Sequence, residues 1–259
     1  MDAPSDILTL LASAAADPRL PWAVGIAAVA GLVRGFAGFG SALIYMPLIA
    51  AVYGPLVAAP TLLLIDTLCS LPFAIQAAPQ SNRREVGLVA IGGLVALPFG
   101  ALALIYLDPL LLRWFIAVLV LLALAALASG WRYAGKPTPA ASIAVGLMAG
   151  FGGGSVQIGA PPLLVFWLGG ANRAATVRAN IMVYFIIQGA ISLAVYWWSA
   201  LFTREVIALA LLLGLPFVAA MAVGASGFRG SSDTLYRRVA YVIIGFAGLA
   251  SMPVFDSLR

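Results

Sequence analysis

The sequence predicts an all-α polytopic membrane protein made of two homologous halves that are inverted relative to each other. Three observations carry this expectation. Of 259 residues, 63% are hydrophobic and only 9% are charged, against about a quarter charged in a typical soluble domain. Uncharged runs cover residues 35–65, 86–107, 114–131, 137–172, 179–203 and 206–228, several of them longer than the roughly 20 residues that cross a bilayer as a helix. At a constant offset of 115, Gly31, Leu32, Gly35, Phe36, Gly38, Pro47, Leu48 and Gly54 each meet an identical residue.

Eight apolar blocks follow in order, at about 22–53, 55–78, 87–107, 110–131, 138–168, 179–199, 205–226 and 238–255. Polar punctuation at 80–85, 132–136, 173–178, 203–205 and 229–233 separates them. The chain reads as one transmembrane domain over 1–259, with repeats at 22–136 and 137–255 joined near 133–138. Later elements also recur: Arg84-Glu85-Val86 as Arg204-Glu205-Val206, and Leu97-Pro98-Phe99 as Leu215-Pro216-Phe217. Asp108 and Arg113 keep the spacing of Asp233 and Arg238. The Arg-Glu pairs read as loop ends or caps. Tryptophans at block ends (Trp22, Trp114, Trp131, Trp167, Trp197, Trp198) suit an interfacial belt. The N-terminal residues lack a basic n-region, so no cleaved leader is expected. Cys69 stands alone in apolar surroundings and reads as a buried thiol.

The first block of each half is the ambiguous one, because about 30 residues are too many for one ordinary span and its interior holds glycines and proline. Counting cations per side arbitrates. Eight plain spans split the lysines and arginines 7:6 outside the apolar blocks. Re-entrant first blocks split them 9:4, with Arg83, Arg84, Arg132, Lys136, Arg173, Arg178, Arg229, Arg237 and Arg238 together. The sharper bias favours two halves, each a Gly-broken re-entrant segment plus three transmembrane helices, with both termini outside. Three spans per half make the halves inverted copies.

Chemistry is expected at the breaks. Glycine runs such as Gly152-Gly153-Gly154 hold a helix poorly, because glycine loses the most backbone entropy. A broken helix inside a membrane is tolerated beside water or within protein, and a resumed helix aims free N–H groups at an anion. Gly38, Gly40 and Ser41 in the first copy, and Gly153, Gly154 and Ser155 in the second, are therefore candidate anion ligands. The competing reading is close helix packing, since Gly31-x3-Gly35 and Gly146-x3-Gly150 fit that pattern.

Arg34 sits in an apolar stretch beside the first break, where a charge is expensive and marks a functional site; an interfacial arginine reaching the headgroups is the alternative. Its counterpart is Ala149, so the arginine serves one end of an asymmetric ligand. Asp66 is the acid deep in an apolar run. It is open as a proton-coupling site, as the partner of Arg34, or as a structural hydrogen-bonding acid. Gln157, Thr176, Asn180 and Gln188 are the further polar side chains near the second break. Arg173, Thr176 and Asn180 share one helical face, whereas Arg178 reads as a topology charge.

At these motifs the chain resembles the TauE/SafE family of membrane permeases. The resemblance rests on Gly35-Phe36-Ala37-Gly38-Phe39-Gly40 with Pro47-Leu48, and on Gly150-Phe151-Gly152-Gly153-Gly154 with Pro162-Leu163. It extends over nearly the whole chain through the matched blocks. The first copy departs from the family pattern, with Ala37 and Phe39 where glycines are usual. The resemblance implies transport of small sulfur-containing anions such as sulfite, thiosulfate, sulfonates or sulfoacetate, with neither bound cofactor nor ATP.

The expected function is a secondary carrier for such an anion in a bacterial inner membrane, multi-pass, with proton or sodium coupling through Asp66 open. An anion channel with a fixed pore between re-entrant segments is the alternative. An enzyme is disfavoured: the chain holds no histidine and one cysteine, so neither a histidine zinc site nor a Ser–His dyad can form. Nucleic acid is not an expected partner, because no basic run exceeds two residues.

Overall fold

The computed structural model describes residues 5–37, 39–130, 133, 135, 137–169, 174–227 and 233–254, and among these every regular element is a helix. In chain order they are α1 (Ser5–Ala15), α2 (Leu20–Ala37), α3 (Ser41–Tyr53), α4 (Pro55–Ala77), a 3-10 turn (Ala78–Gln80), α5 (Arg83–Tyr106), α6 (Pro109–Ala128), α7 (Pro139–Val156), α8 (Ala160–Gly169), α9 (Ala174–Trp198), α10 (Arg204–Gly227) and α11 (Asp233–Ala250). Six of the eight apolar blocks become one helix each. The first and fifth each divide in two, as α2 with α3 and α7 with α8. Helix α1 was not anticipated, because no membrane-length apolar run marks it.

Local chemistry starts the long helices where the polar punctuation falls. Asn82, Asp108, Thr138 and Thr203 each accept a hydrogen bond from a first-turn amide of α5, α6, α7 and α10, with Pro109 and Pro139 in the first turn where a missing N–H costs nothing. By length and composition, α4, α5, α6, α7, α9 and α10 can each cross a membrane. That α7 is among them was not foreseen for the first limb of a re-entrant segment: its 18 residues rise about 27 Å. Large side chains such as Leu68, Phe99, Leu122, Leu215 and Phe246 face outward, as a lipid-facing surface requires.

The two halves interlock through glycine. A Cβ on Gly31 or Gly35 of α2 would lie 2.2 Å from the Phe217 carbonyl oxygen or 1.9 Å from that of Met221 on α10. Likewise Gly146, Gly150 and Gly154 of α7 press on the Val89, Gly93 and Leu97 carbonyls of α5. In each pair, one helix from each half runs parallel to the other at backbone contact. The triple glycine thus lies inside α7 and is helical, contrary to the expectation that it breaks the helix. Its intrinsic cost is offset by the backbone approach that only glycine permits. The break falls later, at residues 157–159.

Corresponding helices of the halves run antiparallel. Asn82, just past α4, meets Asn180 near the start of α9, while Thr67 meets Gly189. Along α6 and α11, Tyr241 reaches Leu127, Gly248 lies on Leu121, and Arg113 reaches Ser251. These directions place Trp22, Tyr106, Trp197 and Trp198, all strongly exposed, at one end of the bundle.

Candidate functional site

The site begins where α2 stops. Gly40 takes φ 94°, in the left-handed region, and the chain turns into α3 there; a side chain at this φ would be strained. The Leu43 amide donates back to the Gly40 carbonyl at 3.1 Å, and no side chain caps α3. Arg34 occupies the last turn of α2, a position that suits a cation electrostatically, and is only 7% exposed.

Its guanidinium meets Asp66 of α4 through two bonds. Nε lies 2.9 Å from Oδ1, and Nη2 donates to Oδ2 at 3.0 Å. Nη2 also donates to the Ser70 hydroxyl one turn further along α4. The Ser41 hydroxyl, at the first position of α3, donates to Asp66 Oδ1 at 3.3 Å. Taking two charges out of water is costly, and only such forked geometry with added hydrogen bonds repays it. Four side chains from three helix segments are thereby tied around the first break.

The second break supplies the opposite wall. Gln157 adopts φ 56°, an uncommon angle for a residue with a Cβ, after the Gln157 and Ile158 amides close α7 on the Gly153 and Gly152 carbonyls at 3.2 and 3.0 Å. Gln157 Nε2 donates to the Tyr196 hydroxyl at 3.2 Å, which donates to the Gly154 carbonyl at 2.7 Å. From α9, Gln188 lies across Gly153, where a Cβ would stand 2.1 Å from its Nε2. Between the two breaks lies a cavity of about 50 Å³ bounded by Arg34, Gly40, Ser41, Asp66, Gln157 and Gln188, room for a few waters or one small oxyanion.

The structure therefore brings Arg34, Gly40, Ser41, Asp66 and Gln157 together. Gly153 and Gly154 sit behind the wall, one under Gln188 and the other against α5. The Ser155 hydroxyl donates to the Phe151 carbonyl of its own helix at 2.7 Å. Thr176 and Asn180 lie near the start of α9, away from the cavity, and Asn180 Oδ1 accepts the Asn82 amide at 2.7 Å. Gly38 and Arg173 fall outside the described residues. Sequence reasoning did not single out Thr67, Ser70 or Gly189, which also line the cavity. Ser70 was within reach of it, being four residues from Asp66 and hence on the same helical face.

A family model described as sulfite exporter TauE/SafE matches residues 23–251. No curated protein and no solved structure matches the chain.

Proposed function

The chain belongs to the TauE/SafE sulfite exporter family, and from that premise we propose that it is a secondary carrier moving a small sulfur oxyanion across a bacterial inner membrane. The observation that carries the reading is the Arg34 cluster at the uncapped start of α3, facing the second helix break across one small cavity. A tetrahedral or pyramidal oxyanion takes donors from several directions. Arg34 supplies a forked pair, Ser41 and Ser70 supply hydroxyls, and the first amides of α3 supply N–H groups with the positive end of a helix dipole.

Asp66 gives the site a coupling device. While ionised, it occupies the guanidinium; protonated, it releases Arg34 to the incoming anion. A proton and an anion then enter together, and the pair re-forms when both leave. The re-formed pair closes the site between cycles, which supports a carrier over a fixed pore. Antiparallel α4 with α9, and α6 with α11, support halves arranged as inverted repeats, the architecture in which rocking about a midplane site gives alternating access.

The test is flux of sulfite into sealed proteoliposomes. A carrier accumulates sulfite against its gradient when the lumen is alkaline, and Arg34→Ala abolishes the flux while the protein stays folded. Downhill leakage alone, unaffected by the pH gradient and unchanged in Arg34→Ala, would refute both the carrier and its site.

A further inference from the structure

Five polar side chains recur at every fourth position of α9: Asn180, Tyr184, Gln188, Ser192 and Tyr196, all of them buried. Residues four apart stand one above the next on a helix, each step turning by about 40°, so the row winds around α9 rather than holding one face. The row rises about 24 Å, most of the roughly 30 Å hydrocarbon thickness of a bilayer. Tyr196 has both a donor and an acceptor partner. The other four rungs do not have their full complement: Asn180 Nδ2, Tyr184 Oη, Gln188 Oε1 and Ser192 Oγ are buried without a hydrogen-bond partner. Native proteins rarely leave such atoms, because each is costly. Four in regular register on one helix call for something that fills them.

The surroundings say what passes. Gln188 bounds the cavity with Arg34 and Asp66, so the row crosses the site already described. Gly153 lies under Gln188, and Gly93 lies under Tyr184, where a Cβ would stand 2.7 Å from the hydroxyl. These two rungs therefore lie directly against glycines of α5 and α7, in space that a side chain at either glycine would take. Three of the orphaned atoms, Asn180 Nδ2, Tyr184 Oη and Ser192 Oγ, can donate; at Gln188 the orphan is the acceptor Oε1, so toward an anion this residue would offer its Nε2–H instead. Oxyanions lack donors of their own and accept such bonds.

We propose that Asn180, Tyr184, Gln188 and Ser192 are the track along which the anion leaves the central cavity, by Ser192 toward one end of the bundle and by Tyr184 and Asn180 toward the other. This rests on the carrier reading above. Tyr184→Phe and Ser192→Ala each delete one unpartnered polar atom and little volume. In purified protein the melting temperature stays level or rises, since a buried desolvation cost disappears. Sulfite flux in proteoliposomes falls about tenfold in each, the loss of one hydrogen bond to a charged ligand. Wild-type flux, or a flux loss that tracks a lowered melting temperature, overturns the proposal.

Labelling gives a second reading that needs no transported substrate. In a Cys69→Ala background, Ser192→Cys is modified by a small anionic methanethiosulfonate, whereas Ile181→Cys, buried on α9 off the row, is not. Modification of neither, or of both alike, overturns the track. Flux surviving in Arg34→Ala defeats the site instead, so the two failures are told apart.

Discussion

Arg34 and Asp66, 32 residues apart and on different helices, meet through two parallel bonds of 2.9 and 3.0 Å within the bundle. That geometry uses the planar fork of a guanidinium. A lysine at position 34 keeps the charge but makes one contact in place of two. Arg34→Lys is expected to fold and to lose at least tenfold in sulfite transport at low substrate, measured in proteoliposomes. Transport at the wild-type level would show that charge alone suffices.

Asp66→Asn leaves a buried guanidinium facing a neutral amide. Breaking one side of such a pair costs about 3–5 kcal/mol, so the variant melts earlier. An anion binding beside Arg34 replaces the lost charge and stabilises by mass action. Sulfite is therefore expected to raise the melting temperature of Asp66→Asn more than that of the wild type. In the same variant, flux no longer responds to a pH gradient.

Gly153→Ala separates the wall from the fold. The new methyl would lie 2.1 Å from Gln188 Nε2, the mobile end of a side chain, so Gln188 swings aside at little energetic cost. Alanine also gains about 1 kcal/mol of helix propensity. Stability by thermal unfolding should hold, and transport should fall several-fold because Gln188 has left the cavity wall.

Gly35→Ala behaves in the opposite way. Its methyl would meet the Met221 carbonyl oxygen at 1.9 Å, which is backbone and cannot yield without moving α2 from α10. A loss of about 2–3 kcal/mol is expected, read as a lowered melting temperature. Gly25→Ala, on the same helix with nothing within 4 Å, should be neutral or slightly stabilising.

Between α1 and α2, hydrogen bonds from Arg19 hold the Asp17 carboxyl below its usual range. A depressed carboxylate contributes stability that is present above its unfolded pKa and lost as pH falls through the folded one. Because the arginine is half-exposed, the contribution is under about 1 kcal/mol. Asp17→Asn should thus melt slightly earlier than wild type at pH 7, with the gap closing below about pH 4.

Much of the helix order was legible because lipid exposure writes long uncharged runs and places charges at their ends. The positions of Arg34 and Asp66 were legible for the same reason: a charge at depth stands out. Their pairing was one of three readings open for Asp66, and only the fold selects it, by bringing the end of α2 within side-chain reach of α4. The glycine motifs were ambiguous, because a flexible break and a close helix contact ask for the same residue. The α5 and α10 backbones decide most of them as contacts, leaving Gly40 at a bend, while the second bend falls at Gln157, which no glycine count would select. Of the α9 row, Asn180 and Gln188 stood out as polar residues, whereas Tyr184 and Ser192 look unremarkable singly, and only the spacing of four with burial joins them.

Head-to-tail placement of α4 beside α9, and of α6 beside α11, is the arrangement that the proposed inverted repeats require. On that proposal, whatever shape the first half adopts toward one compartment, the second half would adopt toward the opposite one. Trading those shapes would then turn the molecule inside out without building a new contact type.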